Sequence, residues 1–262
     1  MSLISTLTSG VSALRSFSTG LQTIGNDIAN ITTTSFKKGK VNFADTFTGF
    51  GVQSTGVNTS FAQGSLENTD NVTDLGISGN GFFIVKDASN NQFATRDGTF
   101  HYNAAGKLVT NQGFTVQGLV GGAVGDIVLG TPPAGTQLKS MSIDTAGTIT
   151  EFYSDGTTAV TGQVLLQNFG NLSALTKQGN NLYGGLLGAG PIGGGVLTTP
   201  ANHVAGLNGL GTIQSGTLEQ SNVDLTEEFA DMITMQRSFQ AGSRLITVSD
   251  SVLEDIVNLK QR

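Results

Sequence analysis

Apolar residues recur every seven positions at both ends of the chain, and this repeat constrains the fold more than any other feature. Leu7, Leu14, Leu21 and Ile28 share one heptad position, with Gly10, Phe17, Ile24 and Ile31 three residues after each. With Leu3 they form an a/d seam of about four heptads, the pattern of a helix that packs along one stripe. No proline interrupts the seam, and Arg15 and Asp27 are the only charges in residues 1–36. A helix of 28 residues is about 42 Å long, and this one is too apolar along its stripe to stand alone in water.

The C-terminal end mirrors it. Leu225, Met232, Phe239, Ile246 and Leu253 repeat every seven residues, while Phe229, Met235, Ile256 and Val257 widen the seam. Leu245, Val252 and Leu259 lie alongside. Asp224 or Thr226 is placed to cap this helix, with Glu227 and Glu228 in the first turn, where the helix dipole favours carboxylates. Around Gly242, Ser243 and Ser249 the d positions turn small and polar, which predicts looser packing. Two such helices flanking one body predict an α-helical coiled coil, with apolar surface (Leu3, Ile4, Leu245 and Leu259 included) left over for other copies or partners.

The middle of the chain reads as β structure. Gly79-Asn80-Gly81 is a turn leading into a buried strand, Phe82 to Val85. Asp97-Gly98 and Ala105-Gly106 mark further turns, with strands near Thr99–Tyr102 and Lys107–Thr110. A second group covers Ser142–Ile143, Thr148–Phe152 and Gln163–Phe169. Turns at this spacing predict a small sandwich or barrel-like body. Residues 184–211, rich in Gly, Ala, Leu, Asn and Thr, read as an extended surface connection. The expected fold class is α+β. Residues 1–36 and 220–262 form a terminal helical coiled-coil domain, 37–75 an extended arm or hairpin linker, and 76–219 a β-rich outer domain.

Composition removes several alternatives. The 37 glycines come with only 4 prolines and no G-X-Y period, so the chain is not collagenous. With 37% hydrophobic residues and a net charge of −6, wholesale disorder is excluded. The acidic balance and scattered basic residues argue against nucleic acid as a partner, Lys37, Lys38 and Lys40 being too short a cluster. Cysteine is absent, so there are no disulfides. No stretch approaches 18 apolar residues, so no membrane insertion is expected, and no cleaved signal peptide is apparent at the N-terminus.

Reactive constellations are missing. His101 and His203 are the only histidines, and neither has a metal-ligand partner at useful spacing. Gly188-Ala189-Gly190-Pro191-Ile192-Gly193 matches G-x-G-x-x-G formally, but Pro191 and Gly194-Gly195 preclude the helix that a dinucleotide site needs. Asp224, Glu227, Glu228 and Asp231 lack calcium-loop spacing and read as a solvated helix start. No enzyme and no cofactor are expected. A surface adhesin or carbohydrate-binding module is the competing class for such a β body.

Several segments resemble the bacterial flagellar rod and hook proteins. Ile24-Gly25-Asn26-Asp27-Ile28-Ala29-Asn30 followed by Thr34-Ser35-Phe36-Lys37 is similar to that family's N-terminal signature, and Phe43-Ala44-Asp45-Thr46-Phe47 to the segment after it. Gly79-Asn80-Gly81-Phe82-Phe83, Thr95-Arg96-Asp97-Gly98-Thr99-Phe100, Gly106-Lys107-Leu108-Val109 and Gly113-Phe114-Thr115-Val116-Gln117-Gly118 resemble its central motifs. Gly216–Leu225, then Met232-Ile233 and Gln236-Arg237-Ser238-Phe239-Gln240, resemble its C-terminal signature. Ser35 stands where glycine is usual and Asp27 where asparagine is common.

The resemblance implies a structural subunit of a hollow helical tube that transmits motor torque around an export channel. Its self-assembly residues would be Leu7, Leu14, Phe17, Leu21, Ile24, Ile28, Leu225, Phe229, Met232, Phe239, Ile246 and Leu253. Asn26, Asn30, Phe36, Lys37, Asn222, Val223, Gln236 and Arg237 carry the family motif. Implied partners are identical subunits in a helical filament, other axial and junction proteins, a cap protein during assembly, and the flagellar type III export apparatus. The implied location is the flagellum, as an extracellular hook or a periplasm-spanning rod. Only Thr48-Gly49-Phe50 separates Phe47 from Gly51-Val52, and the chain ends Val257-Asn258-Leu259-Lys260-Gln261-Arg262. Both features are hook-like, so the expectation is a short hook protein, with the distal rod protein as the alternative.

Overall fold

The computed structural model describes residues 3–45 and 51–260, with the backbone alone at 3–5, 257 and 259–260. Thr46 to Phe50, on which part of the hook expectation rests, lies outside the described residues, as do the side chains of Leu3, Ile4, Val257 and Leu259. The chain divides into two units. One comprises the residues up to Thr32, Lys37–Ala62 and those from Asn222 onward; the other comprises Thr33–Phe36 and Gln63–Ser221.

The first unit holds α1 (Leu3–Ala29), β1 (Gly39–Asp45), β2 (Val52–Thr59) and a long C-terminal helix, α2 (Leu225–Lys260). The helices pack antiparallel. A Cβ added to Gly10 would lie 3.1 Å from Ile246 Cγ1, one on Gly242 3.2 Å from Leu14 Cδ2, and one on Gly20 3.3 Å from Met235 Sδ. Residue numbers therefore fall along α2 as they rise along α1. Gly242 and Ser249 are buried. The small residues thus mark a close contact rather than a loose one, because interaxial distance shrinks with the side chains at the contact.

β1 and β2 form an antiparallel hairpin from Gly39↔Thr59 to Asp45↔Val52, with a bulge at Asn42/Phe43. The hairpin lies against α1. Ser16 Oγ donates to the Val52 carbonyl at 3.0 Å, and Phe17 meets Phe43 edge-on with ring centroids 6.2 Å apart. At the end of α1, Asn30 Nδ2 donates to the Asn26 carbonyl at 2.8 Å. Asp224 caps α2, its Oδ1 accepting from the N–H groups of Thr226 at 2.8 Å and Glu227 at 3.3 Å.

The second unit is almost wholly β. It runs through β3 (Leu66–Asn68), β4 (Leu75–Ser78), β5 (Phe82–Lys86), β6 (Gln92–Thr95), β7 (Phe100–Tyr102) and β8 (Leu108–Thr110). Then come β9 (Thr115–Val120), β10 (Ala123–Asp126), β11 (Leu138–Ile143), β12 (Thr148–Tyr153), β13 (Thr158–Val164) and β14 (Leu166–Gln167). The last are β15 (Thr176–Gly179), β16 (Leu182–Gly184), β17 (Thr212–Ser215) and β18 (Thr217–Glu219). The main sheet has the order β11-β12-β13-β9-β5-β6-β16-β15, with β7, β8, β10 and β14 attached beside it. β17 returns to pair with β4, and β18 with β3.

One apolar core serves this unit, including Leu75, Ile77, Phe83, Val85, Leu108 and Val164. Residues 184–211 differ from the expected surface connection. Ala189, Leu197, Ala205 and Leu210 of this stretch are buried, and positive φ at Gly190, Gly193 and Gly206 lets the chain fold back tightly enough to bury them.

Ser35 also takes positive φ, 56°. Its N–H donates to the Glu219 carbonyl at 2.7 Å and its hydroxyl to the Arg96 carbonyl at 2.8 Å. The left-handed turn that usually calls for glycine is thus held by a side-chain hydrogen bond that glycine cannot make.

Candidate assembly surface

The motif residues fall into two groups. Asn30, Lys37 and Asn222 fix backbone, and Asn26 Oδ1 accepts from Asn30 Nδ2 at 3.3 Å. Lys37 Nζ donates to the Ala62 carbonyl at 2.9 Å, and Asn222 Nδ2 donates to the Ser60 and Ala62 carbonyls, both at 2.9 Å. Asn222 Oδ1 meanwhile accepts the Lys38 N–H at 2.8 Å. These bonds tie the entry of α2 to the irregular segment that follows the hairpin, so the N-terminal and C-terminal signatures meet at one place. Phe36 and Val223 are buried. Gln236 and Arg237, by contrast, project from the exposed side of α2.

Asp27 is fully buried, and its two carboxylate oxygens accept the Gly39 N–H at 3.1 and 3.0 Å. Glu228, expected at a solvated helix start, is buried instead, while Asp224, Glu227 and Asp231 are exposed. Burial pushes the Glu228 carboxyl up, and the Asp27 charge adds to the shift. Lys38 bridges the edge of this site, 2.7 Å from Glu227 and 3.7 Å from Glu228.

The proposed assembly residues are spread unequally. On α1, Ile24 is buried and Leu7, Leu14, Phe17, Leu21 and Ile28 are half-buried. On α2, Met232 and Ile246 are half-buried, whereas Leu225, Phe229, Phe239 and Leu253 stay exposed. The covered positions of α2 recur as Glu228, Met235, Gly242 and Ser249, a seven-residue spacing occupied by small or polar residues as well as one methionine.

Ile233 and Val248 were missed by heptad counting, although they are 52% and 60% exposed. Leu245, Val248, Val252 and Ile256 follow at steps of three, four and four, one continuous stripe on the outer side of α2. A shallow groove of about 620 Å³ lies there, lined by Arg237, Gln240, Ala241, Arg244, Leu245 and Val248. An exposed apolar run of this length on one helix marks a contact surface.

Several charges of the β unit are paired within it: Arg96 lies 3.6 Å from Glu219, Asp126 lies 3.1 Å from Lys86 and 2.8 Å from Lys107, and Tyr153 donates to Glu151. His101 is exposed on β7 and His203 is buried in the glycine-rich stretch. Among the described residues, no group of His, Asp and Glu is placed to hold a metal ion. No helix among them is long and apolar enough to cross a membrane.

A β body joined to a helix that leaves an apolar face exposed is the arrangement of a protein that makes contacts through its helices. The family model for the flagellar basal body rod FlgEFG protein C-terminal region matches residues 214–259, and that for the flagellar hook protein FlgE/F/G D1 domain matches residues 76–151. The flagellar basal-body rod protein FlgG of Bacillus subtilis (strain 168) is 34% identical, the alignment covering 99% of this chain and 100% of that protein. FlgG of Buchnera aphidicola subsp. Baizongia pistaciae is 30% identical over 90% of this chain and 92% of its own length. The flagellar hook protein FlgE of Treponema pallidum is 40% identical, but over 47% of this chain and 25% of that protein. Among solved structures, Helicobacter pylori flagellar hook protein FlgE2 aligns with 52% of this chain and 33% of that one, at 16% identity and a TM-score of 0.26.

The chain belongs to the flagellar rod and hook family of axial proteins. It is a flagellar axial structural protein, and its similarity favours rod over hook.

Proposed function

We propose that the chain is a rod subunit, a component of the drive shaft rather than of the flexible hook. The observation that carries this reading is the end-to-end match to a rod protein, 99% of this chain against 100% of its relative. The hook relative is matched over only 25% of its length, so most of that protein is unmatched by this chain. The short spacing after Phe47 and the hook-like ending are local features, and a match along the whole chain outweighs them.

In this reading the subunits self-assemble into a hollow helical tube through α1 and α2, with the β unit as the outer layer. The apolar stripe on α2 supplies the association energy, at roughly 25 cal/mol per Å² of apolar surface covered. A head-to-tail contact whose rotation does not close generates an open helix of subunits. The tube transmits torque and encloses the export channel, and the absence of cysteine suits passage of an unlinked chain. The few charges in α1 leave Ser and Thr side chains suited to a wet lumen. The partners are identical subunits, neighbouring axial proteins, a cap protein during growth and the export apparatus.

Electron microscopy of the purified protein under polymerising conditions tests the reading. Straight tubes are expected. Curved tubes would return the chain to the hook class, and a purely monomeric protein would remove both.

A further inference from the structure

The charges on the outer side of α2 are segregated along the helix. Arg237 and Arg244 sit seven residues apart on the exposed side, both lining the groove with Ala241, Leu245 and Val248. No acid stands three or four residues from either, because those positions hold Ile233, Thr234, Gln240, Ala241, Thr247 and Val248. Asp250 and Glu254 lie in the last third of the helix, both exposed, four residues apart. That spacing places two like charges side by side, an unfavourable arrangement unless a cation faces them. Among the described residues, none of these four side chains forms an ion pair within the chain.

We infer that the arginine groove of one subunit receives the acidic end of α2 from a second copy of the same chain. This rests on the rod-subunit reading and names the contact by which its helices would associate. The occupant follows from charge and from apolar matching. Within the helical unit α1 offers no acid, since Asp27 is its only one and is fully buried. At the start of α2, Glu227 is held by Lys38, Asp224 caps the helix and Glu228 is buried. Asp231 there and Asp45 on β1 are single exposed acids, whereas Asp250, Glu254 and Asp255 are grouped. The end of α2 carries its acids next to exposed Val252, Leu253 and Ile256, which match the apolar margin of the groove.

The arrangement fixes polarity. The basic and acidic sites are different patches on one helix, so each subunit gives one and receives one. The contact is heterologous and propagates instead of closing as a dimer. The centres of the two charge pairs are about 11.5 residues apart, so parallel α2 helices in contact are staggered by about 17 Å at 1.5 Å per residue.

Two full-length variants test the pairing. Arg237→Glu/Arg244→Glu and Asp250→Arg/Glu254→Arg both change exposed side chains, so each monomer should unfold like the wild type. Each variant alone should need about tenfold or more protein to polymerise, because like charges then meet across the contact. An equimolar mixture should polymerise again, since each groove then finds an opposite charge on the other variant. The fourfold variant, with both patches reversed in one chain, should polymerise as well. Tubes formed by either variant at the wild-type threshold would overturn the pairing and leave the rod reading standing. Failure of both the mixture and the fourfold variant would also overturn it. A wild-type protein that forms no tubes would remove the rod reading along with this contact.

Discussion

The Ser35 hydroxyl donates to the Arg96 carbonyl at 2.8 Å while the Ser35 backbone is held at a φ of 56°. Left-handed backbone costs a non-glycine residue roughly 1–2 kcal/mol, and a buried hydrogen bond contributes about 1 kcal/mol. Ser35→Ala keeps the strain and loses the bond, leaving the turn worse on both counts. It should destabilise the β unit by about 1–3 kcal/mol, the penalty of an unsatisfied buried group. Ser35→Gly removes the strain along with the bond and should change stability by less than half as much. Urea unfolding of both variants decides the matter, and an alanine variant no less stable than the glycine one would show that the hydroxyl has no such role.

Glu228 makes the helical unit sensitive to mild acid. Burial and the Asp27 charge raise its carboxyl above the usual 4.5. A raised acid binds its proton more tightly in the folded chain, so stability rises as pH falls through the raised value and levels off below 4.5. Above the raised value the cost of the buried carboxylate is fully present. Glu228→Gln should therefore flatten that part of the pH dependence while Lys38 keeps Glu227 at 2.7 Å. Asp27→Asn should reduce it too, by removing the facing charge. Helical melting at pH 7 and near pH 5 tests this, and an unchanged pH dependence in Glu228→Gln would assign it to another group.

Arg96 is buried in the β unit, 3.6 Å from Glu219 and stacked over the Phe82 ring at 5.1 Å. Burial pulls the guanidinium pKa down, and the Glu219 charge opposes that shift. Removing one member strands the other charge away from water, which costs about 3–5 kcal/mol. Arg96→Met and Glu219→Gln should each show a loss of this order, and the double variant a loss well below their sum. Simple additivity in a double-mutant cycle would mean that the two charges do not support one another.

The helices were legible in the sequence because a seven-residue repeat over four turns or more has few other readings. Which residues of α2 face α1 was legible only in part. Ile246 and Met235, both in the apolar seam, do approach Gly10 and Gly20 of α1. Hydrophobicity also pointed to Leu225, Phe229 and Phe239, which are exposed, while Glu228, Gly242 and Ser249 are buried. Close helix approach selects small side chains at the contact, and small side chains leave no apolar signal. Glu228 looked solvated for a similar reason: a capped first turn rich in acid is common on surfaces, and only the Asp27–Gly39 junction shows what encloses it. In the β body the turns were readable from glycine and aspartate pairs. The burial of Leu197 and Ala189 inside a glycine-rich stretch depended on tertiary folding back, which periodicity does not encode. Rod against hook sets one short spacing and the ending against similarity along the whole chain, and that similarity favours rod.

The end of α2 should order only on assembly. From Asp250 to Ile256 every residue is exposed, so tertiary packing gives this stretch of the helix little support. Isolated helices of such length are marginal in water, since most helical stability in proteins comes from burying one face. The soluble subunit should therefore exchange its amide hydrogens from about Asp250 onward nearly as fast as an unfolded chain. In tubes, where Val252, Leu253 and Ile256 meet a neighbour, the same amides should slow by at least an order of magnitude, while core strands such as Phe82–Lys86 stay protected in both states. Fast exchange at the end of α2 in intact tubes would place the assembly contact elsewhere. Slow exchange there in the soluble subunit would mean that the helix needs no neighbour to hold it.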